Sequence, residues 1–236
     1  MTDEIGTVIE ITAKIESVAS VSATVTLSER SYLSDWYRWA ALDAAEQASA
    51  LEEALSAPYG ATPKHISLVT SSLFQSVAFM EARANELFQD ASDKNLGGRS
   101  GGLSTRTRER MAEWWYNTDE GKRSDILLNY QMLLLFSEQG PLDKGTQPYQ
   151  DAALLIKLRN LLVHFRPESV SSDADKRLWR DVGGKFPANS FAVGLWWPYG
   201  CLGAGCAKWG HRSADSLVSD VMARIGLPAL GANLSW

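Results

Sequence analysis

The chain has 236 residues, 45% hydrophobic and 22% charged, which suits one large domain, or a domain with an appendage, and excludes a disordered, collagen-like or low-complexity protein. Its net charge of −5 argues against coating nucleic acid by bulk charge, but residues 1–60 hold ten acids against three bases, so any polyanion site is expected beyond residue 60. No apolar run approaches the ~20 residues of a membrane helix, the start is acidic and only two cysteines are present, so a cytoplasmic protein without membrane contact or disulfide framework is expected.

Residues 5–15 and 18–27 alternate apolar with polar side chains and are rich in Val, Ile and Thr, the pattern of a β-hairpin. We set this hairpin apart as an appendage over residues 1–31, in front of a helical domain over 32–236. From Ser34 the apolar positions Trp36, Trp39, Leu42, Leu51 and Leu55 predict a helix that stops near Pro58. A second helix starts at Thr62, a capping residue, and Pro63, suited to a first helical position. Its Ile66, Val69, Leu73, Val77, Met80, Ala84 and Leu87 recur at steps of three and four.

Residues 92–105 carry four glycines among small polar residues and predict a mobile loop inside the domain. Arg106, Arg108 and Arg110 then enter a helix ending in Trp114, Trp115 and Tyr116, and Ser124 is placed to cap another helix through Phe136. Pro148 opens a leucine-rich helix that Pro167 stops. Residues 168–212 predict an irregular, Trp-rich insertion, and a final helix is expected from Ser213 to Gly226.

The segment Leu158-Arg159-Asn160-Leu161-Leu162-Val163-His164-Phe165 sets a permanent cation, an amide and a group that titrates near neutrality into the last turns of an apolar helix. At ~100° per residue Asn160 and His164 share a face, while Arg159 and His164 are ~140° apart and need the length of the Arg side chain to meet. An imidazole can take a proton from a ribose 2′-hydroxyl or give one to a leaving oxygen. A guanidinium fork can hold the phosphate and favour the charge that builds on five-coordinate phosphorus. This chemistry asks for no metal or other cofactor. One imidazole supplies a base or an acid but not both, so a twofold dimer that joins two His164 groups would complete it.

That segment resembles the signature of HEPN domains, an Arg, usually a polar residue, then a His after four to six positions near a helix end. The stretch Phe79-Met80-Glu81-Ala82-Arg83-Ala84-Asn85-Glu86 is similar to the earlier long helix of several HEPN families. The resemblance covers roughly residues 34–168 and leaves the hairpin and the Trp-rich stretch aside. It implies an all-α, up-and-down bundle that forms homodimers with the motifs facing each other. In many members it also implies a metal-independent endoribonuclease, a hydrolase of defence or toxin–antitoxin systems. By motif position it carries the active site onto Arg159, Asn160 and His164. One subgroup has a Tyr two residues after the His that an antitoxin modifies; Arg166 stands there, so that regulation is not expected. Some HEPN proteins only bind or assemble, and such a non-catalytic module of a defence or regulatory complex is the alternative.

Each signal has an ordinary alternative. Arg159 and His164 could serve the helix end, and Asn160 either tunes the site or caps a neighbour. Glu81 and Asn85 fall at helical steps where they could support Arg159 or form a solvated face. Arg106, Arg108, Arg110 and Arg166 are candidate RNA-binding cations, with Trp114, Trp115 and Tyr116 as stacking partners. Core packing is the competing role of the tryptophans. Cys201, Cys206 and His211 recur every five residues, wider than usual zinc pairs and short of a fourth ligand, so a tight glycine-marked loop with buried thiols is expected instead of a metal site. His65 is either exposed or packed.

Overall fold

The computed structural model describes residues 7–13, 21–27, 30–54, 62–117, 125–165, 180–192 and 196–228. The chain divides into two units, Met1–Tyr32 and Leu33–Trp236. In the first, β1 (Thr7–Ala13) pairs antiparallel with β2 (Val21–Leu27), Ile9 opposite Val25 and Ile11 opposite Ala23. The second is built from helices among its described residues: α1 (Ser34–Ala54), α2 (Pro63–Ser92), α3 (Thr105–Asn117), α4 (Ile126–Phe136), α5 (Tyr149–Val163) and α6 (Ala204–Arg224). The chain as a whole is thus mainly helical. Among the described residues no helix is long and apolar enough to cross a membrane.

Helix α2 organises the unit. Thr62 accepts a hydrogen bond from the His65 amide at 3.2 Å, which satisfies one of the open donors of the first turn, and Pro63 follows in the first helical position. The 30 residues from there to Ser92 span about 45 Å. Val69, Leu73, Val77, Met80, Ala84 and Leu87 are buried, and so are Ser72, Ser76, Phe79, Phe88 and Ala91 from flanking faces. A helix buried over so much of its circumference needs neighbours on several sides. α1, α3, α4, α5 and α6 each pack on it.

Small residues set how closely these helices approach. Ala41, Ala44, Ala45 and Ala48 form the buried face of α1, which lets Ser72 of α2 donate to the Ala41 carbonyl at 2.8 Å. On α6, a Cβ at Gly210 would lie 2.6 Å from Leu73 Cδ2 and 3.2 Å from Leu155 Cδ1, so α2, α5 and α6 meet where only glycine fits. Tyr130 of α4 donates to the Met80 carbonyl at 2.8 Å, and the burial that makes this bond necessary raises its phenol's pKa.

Three local expectations differ from the structure. The last helix begins at Ala204, nine residues before the expected start at Ser213. Ser213 is an interior residue whose hydroxyl donates to the Trp209 carbonyl at 2.8 Å. Gly205 and Gly210 weaken the helical pattern there, but Pro187 and Leu73 occupy the space their side chains would need. The insertion expected over 168–212 therefore ends at Gly203, after a wide turn at Trp196–Gly200; residues 166–179 lie outside the described residues.

At α4 the cap is Asp125, which accepts from the Leu127 amide at 2.8 Å. Ser124, the expected cap, lies outside the described residues. The glycine-rich loop is a series of bonded turns around the buried Asp90, whose carboxylate takes the Arg99 amide at 2.5 Å and Asn95 Nδ2 at 3.2 Å. A Cβ at Gly98 would overlap that carboxylate and one at Gly101 the Leu96 carbonyl oxygen. These glycines provide room for the turns to pack.

Candidate active site

Helix α5 is anchored by Ala152, Leu155 and Leu158, all fully buried. Beyond Leu158, Leu162 still packs against the core, while Leu161, Val163 and Phe165 are 41%, 52% and 50% exposed. His164 closes the helix, its amide donating to the Asn160 carbonyl at 3.0 Å and its imidazole exposed. At ~100° per residue, Lys157, Asn160 and His164 fall within ~60° on one stripe.

That stripe lines a cleft of about 610 Å³ with Asp125 and Leu127 from the start of α4, and with Tyr149, Ala153, Ile156 and Leu161. The residues that line the cleft thus carry an imidazole, an ammonium, an amide, a carboxylate and a phenol. Lys157 Nζ also donates to Asp181 at 2.6 Å, and that bond, larger than the opposing effect of partial burial, holds the Asp181 carboxyl below its ordinary range.

Arg159 does not line this cleft. It lies half-buried on another side of α5, its Nε carries no hydrogen bond, and it forms no ion pair with a described residue. Two of the three motif residues therefore share the cleft within one chain, and the third is offset as the helical spacing requires.

The proposed supports of the site lie on α2. Glu81 is exposed and Asn85 half-buried, and neither bonds to Arg159 among the described residues. Arg83, between them in sequence, is buried and pairs with Asp35. Asp35 also pairs with Arg99, while Glu86 accepts from the Ser34 amide at 2.8 Å and the Ser34 hydroxyl at 2.6 Å and lies 3.5 Å from Arg99 Nε. Burial first, then the charge of Arg99, lowers the Arg83 pKa against the opposing pull of Asp35 and Glu86.

The candidate RNA-binding cations of α3 are partly engaged. Arg108 donates to the carbonyls of Gly101 and Leu103. Arg106 and Arg110 reach Glu138 Oε1 at 3.5 and 3.3 Å, and Arg106 is largely exposed. Arg166 lies outside the described residues. Trp115 is core, stacked on Phe88 at 5.4 Å and donating from Nε1 to Gln89 at 2.9 Å, which removes it as a base-stacking surface. Trp114 is half-buried, and Tyr116 is exposed.

His65 is wholly buried, Nε2 2.7 Å from Glu52 Oε1, and Phe191 meets its ring edge-on at 5.6 Å. Cys201 and Cys206 are buried free thiols, and burial, reinforced by the bond and charge of Cys201, pushes the Cys206 thiol up, away from the ligating thiolate. Among the described residues no group of three or more His, Cys, Asp or Glu is placed to hold a metal ion.

No family model, curated protein or solved structure matches the chain. The sequence motif singled out Asn160 and His164 but passed over Lys157, although three- and four-residue steps set it on their stripe. Tyr149, the first residue of α5, was passed over as well, although eleven residues at ~100° each set it within ~20° of Asn160. Asp125 alone carried no local signal, because it enters the cleft from the start of α4.

Proposed function

We propose that the helical unit is a HEPN-like, metal-independent endoribonuclease that acts as a homodimer. The observation that carries this reading is the end of α5, where His164 and Asn160 share a cleft lined by both polar and apolar side chains, Leu161 among them, beside exposed Val163 and Phe165. Exposed apolar side chains around such a site favour burial against a second subunit. With two copies joined there, two imidazoles are at hand, one as base and one as acid.

In the proposed reaction one His164 removes the proton of a ribose 2′-hydroxyl. The oxygen attacks phosphorus, the bond to the 5′-oxygen breaks, and the second His164 gives that oxygen a proton. The products are a 2′,3′-cyclic phosphate and a 5′-hydroxyl. Arg159 stabilises the charge on the five-coordinate phosphate and Asn160 orients the ribose or the phosphate.

Purified protein incubated with total RNA and with transfer RNA in EDTA is expected to leave fragments with those ends. His164→Ala and Arg159→Ala should each lower cleavage by at least ~100-fold with an unchanged circular-dichroism spectrum. Cleavage that survives both substitutions defeats the reading. The same apolar end of α5 supports a second reading, a non-catalytic assembly module, which an intact dimer that cleaves no RNA would favour.

A further inference from the structure

The cation on the His164 side of α5 is Lys157. Its place follows from helix geometry, since residues seven apart are offset by only ~20°, whereas Arg159 is turned ~140° away from His164. Lys157, Asn160 and His164 line one cleft and Arg159 does not. An anion seated there meets an ammonium, an amide and an imidazole, all able to donate to phosphate oxygens when the imidazole is protonated.

The ammonium already holds an anion. Lys157 Nζ is 2.6 Å from Asp181 Oδ2, in the helical turn at 180–182, and both side chains are partly exposed, at 53% and 31%. An exposed ion pair of this kind contributes little to stability, so it can be exchanged for another anion at small cost. Asp181 is outside the set of residues that line the cleft. Rotation of the flexible lysine stem from Asp181 toward His164 would carry its charge into the cleft.

We propose that Lys157 is the phosphate-holding cation of this cleft and that Asp181 is the internal carboxylate it leaves when a phosphate group binds. The inference rests on the nuclease reading for the identity of the phosphate, an RNA phosphodiester. It supplies within one chain a phosphate contact that the Arg-to-His motif does not include.

The test uses the intact protein and reads binding apart from cleavage. The chain has three histidines, and since His65 and His211 are buried, the exposed His164 gives an imidazole proton resonance that His164→Gln identifies. Inorganic phosphate and uridine 3′-monophosphate are titrated separately against that resonance. Lys157→Gln is expected to weaken both by about tenfold, and Asp181→Asn to tighten both by about threefold. Lys64→Gln, on α2, should leave both unchanged.

If Lys157→Gln binds as the parent does while Arg159→Gln loses binding, the cation is Arg159 and this inference fails with the nuclease reading intact. If Lys157→Gln loses binding but the parent cleaves no RNA in EDTA, the phosphate site stands and the nuclease reading falls. Absence of any response of His164 to either probe overturns the inference, and Asp181→Asn without tighter binding removes the role of Asp181.

Discussion

Where α1, α2 and the turns after α2 meet, Arg83 and Arg99 share the carboxylate of Asp35, and Glu86 answers both Ser34 and Arg99. At the end of α5, Arg159 has no ion-pair partner among the described residues and the imidazole of His164 is exposed. Both regions place an arginine among polar groups near a helix end. They differ in whether the polar groups are already matched. A buried charge costs several kcal/mol unless it is paired, so the ion pairs of the first cluster hold the fold together. In the second, Arg159 has no ion-pair partner among the described residues, His164 is exposed and Lys157 holds only the partly exposed Asp181, so interaction energy is available for binding.

The largest test of that contrast is Arg83→Ala, which removes one of the two arginine partners of Asp35 and leaves a cavity where the buried side chain stood. It is expected to cost about 3 kcal/mol in urea unfolding. A loss below about 1 kcal/mol would mean that water reaches the cluster and that the two regions are less different than their burial indicates.

A smaller effect is expected at Glu52, which joins the ends of α1, α2 and α6 by accepting from the Ala204 amide at 2.7 Å and meeting His65 Nε2 at 2.7 Å. Burial alone would raise its pKa, but the bonds to His65 and Ala204, with the charge of His65, outweigh burial and lower it from the ordinary 4.5. A carboxyl with a depressed folded pKa stabilises the fold fully above its unfolded value and loses that contribution as the pH falls through the folded one. Glu52→Gln is therefore expected to cost about 1 kcal/mol at pH 7. The gap to the parent should narrow only below about pH 4.5. A gap that stays constant down to pH 3 would break the assignment.

The smallest effect on stability is expected at the candidate site. His164→Ala should change the unfolding free energy by less than ~0.5 kcal/mol, since the imidazole is exposed and bonds to no described side chain. Thermal unfolding that shows a loss above about 1.5 kcal/mol would place His164 with Arg83 as a structural residue.

The helices were largely legible in the chain because their signals are local. Thr62 with Pro63 marks the start of α2, and the run from Val69 to Leu87 marks its buried face. The beginning of α6 was hidden for a reason visible at Gly205 and Gly210. Those positions satisfy Pro187 and Leu73, distant in sequence, at the expense of helix propensity. Gly98 and Gly101 of the loop after α2 read as freedom although Asp90 and the Leu96 carbonyl, which fill the space beside them, lie only eight and five residues away, because that closeness arises from how the turns fold and not from residue type.

At the candidate site the residue types and their angular order along α5 follow from the sequence alone, because helical rise and twist are properties of the backbone. That order sets Lys157, Asn160 and His164 on one stripe and Arg159 off it. Only the tertiary structure decided which stripe faces a cleft, that Asp125 joins it, and that Lys157 is held by Asp181. Such meetings depend on how whole helices pack, which is fixed by burial summed over many distant residues and leaves no trace in the spacing of any one segment.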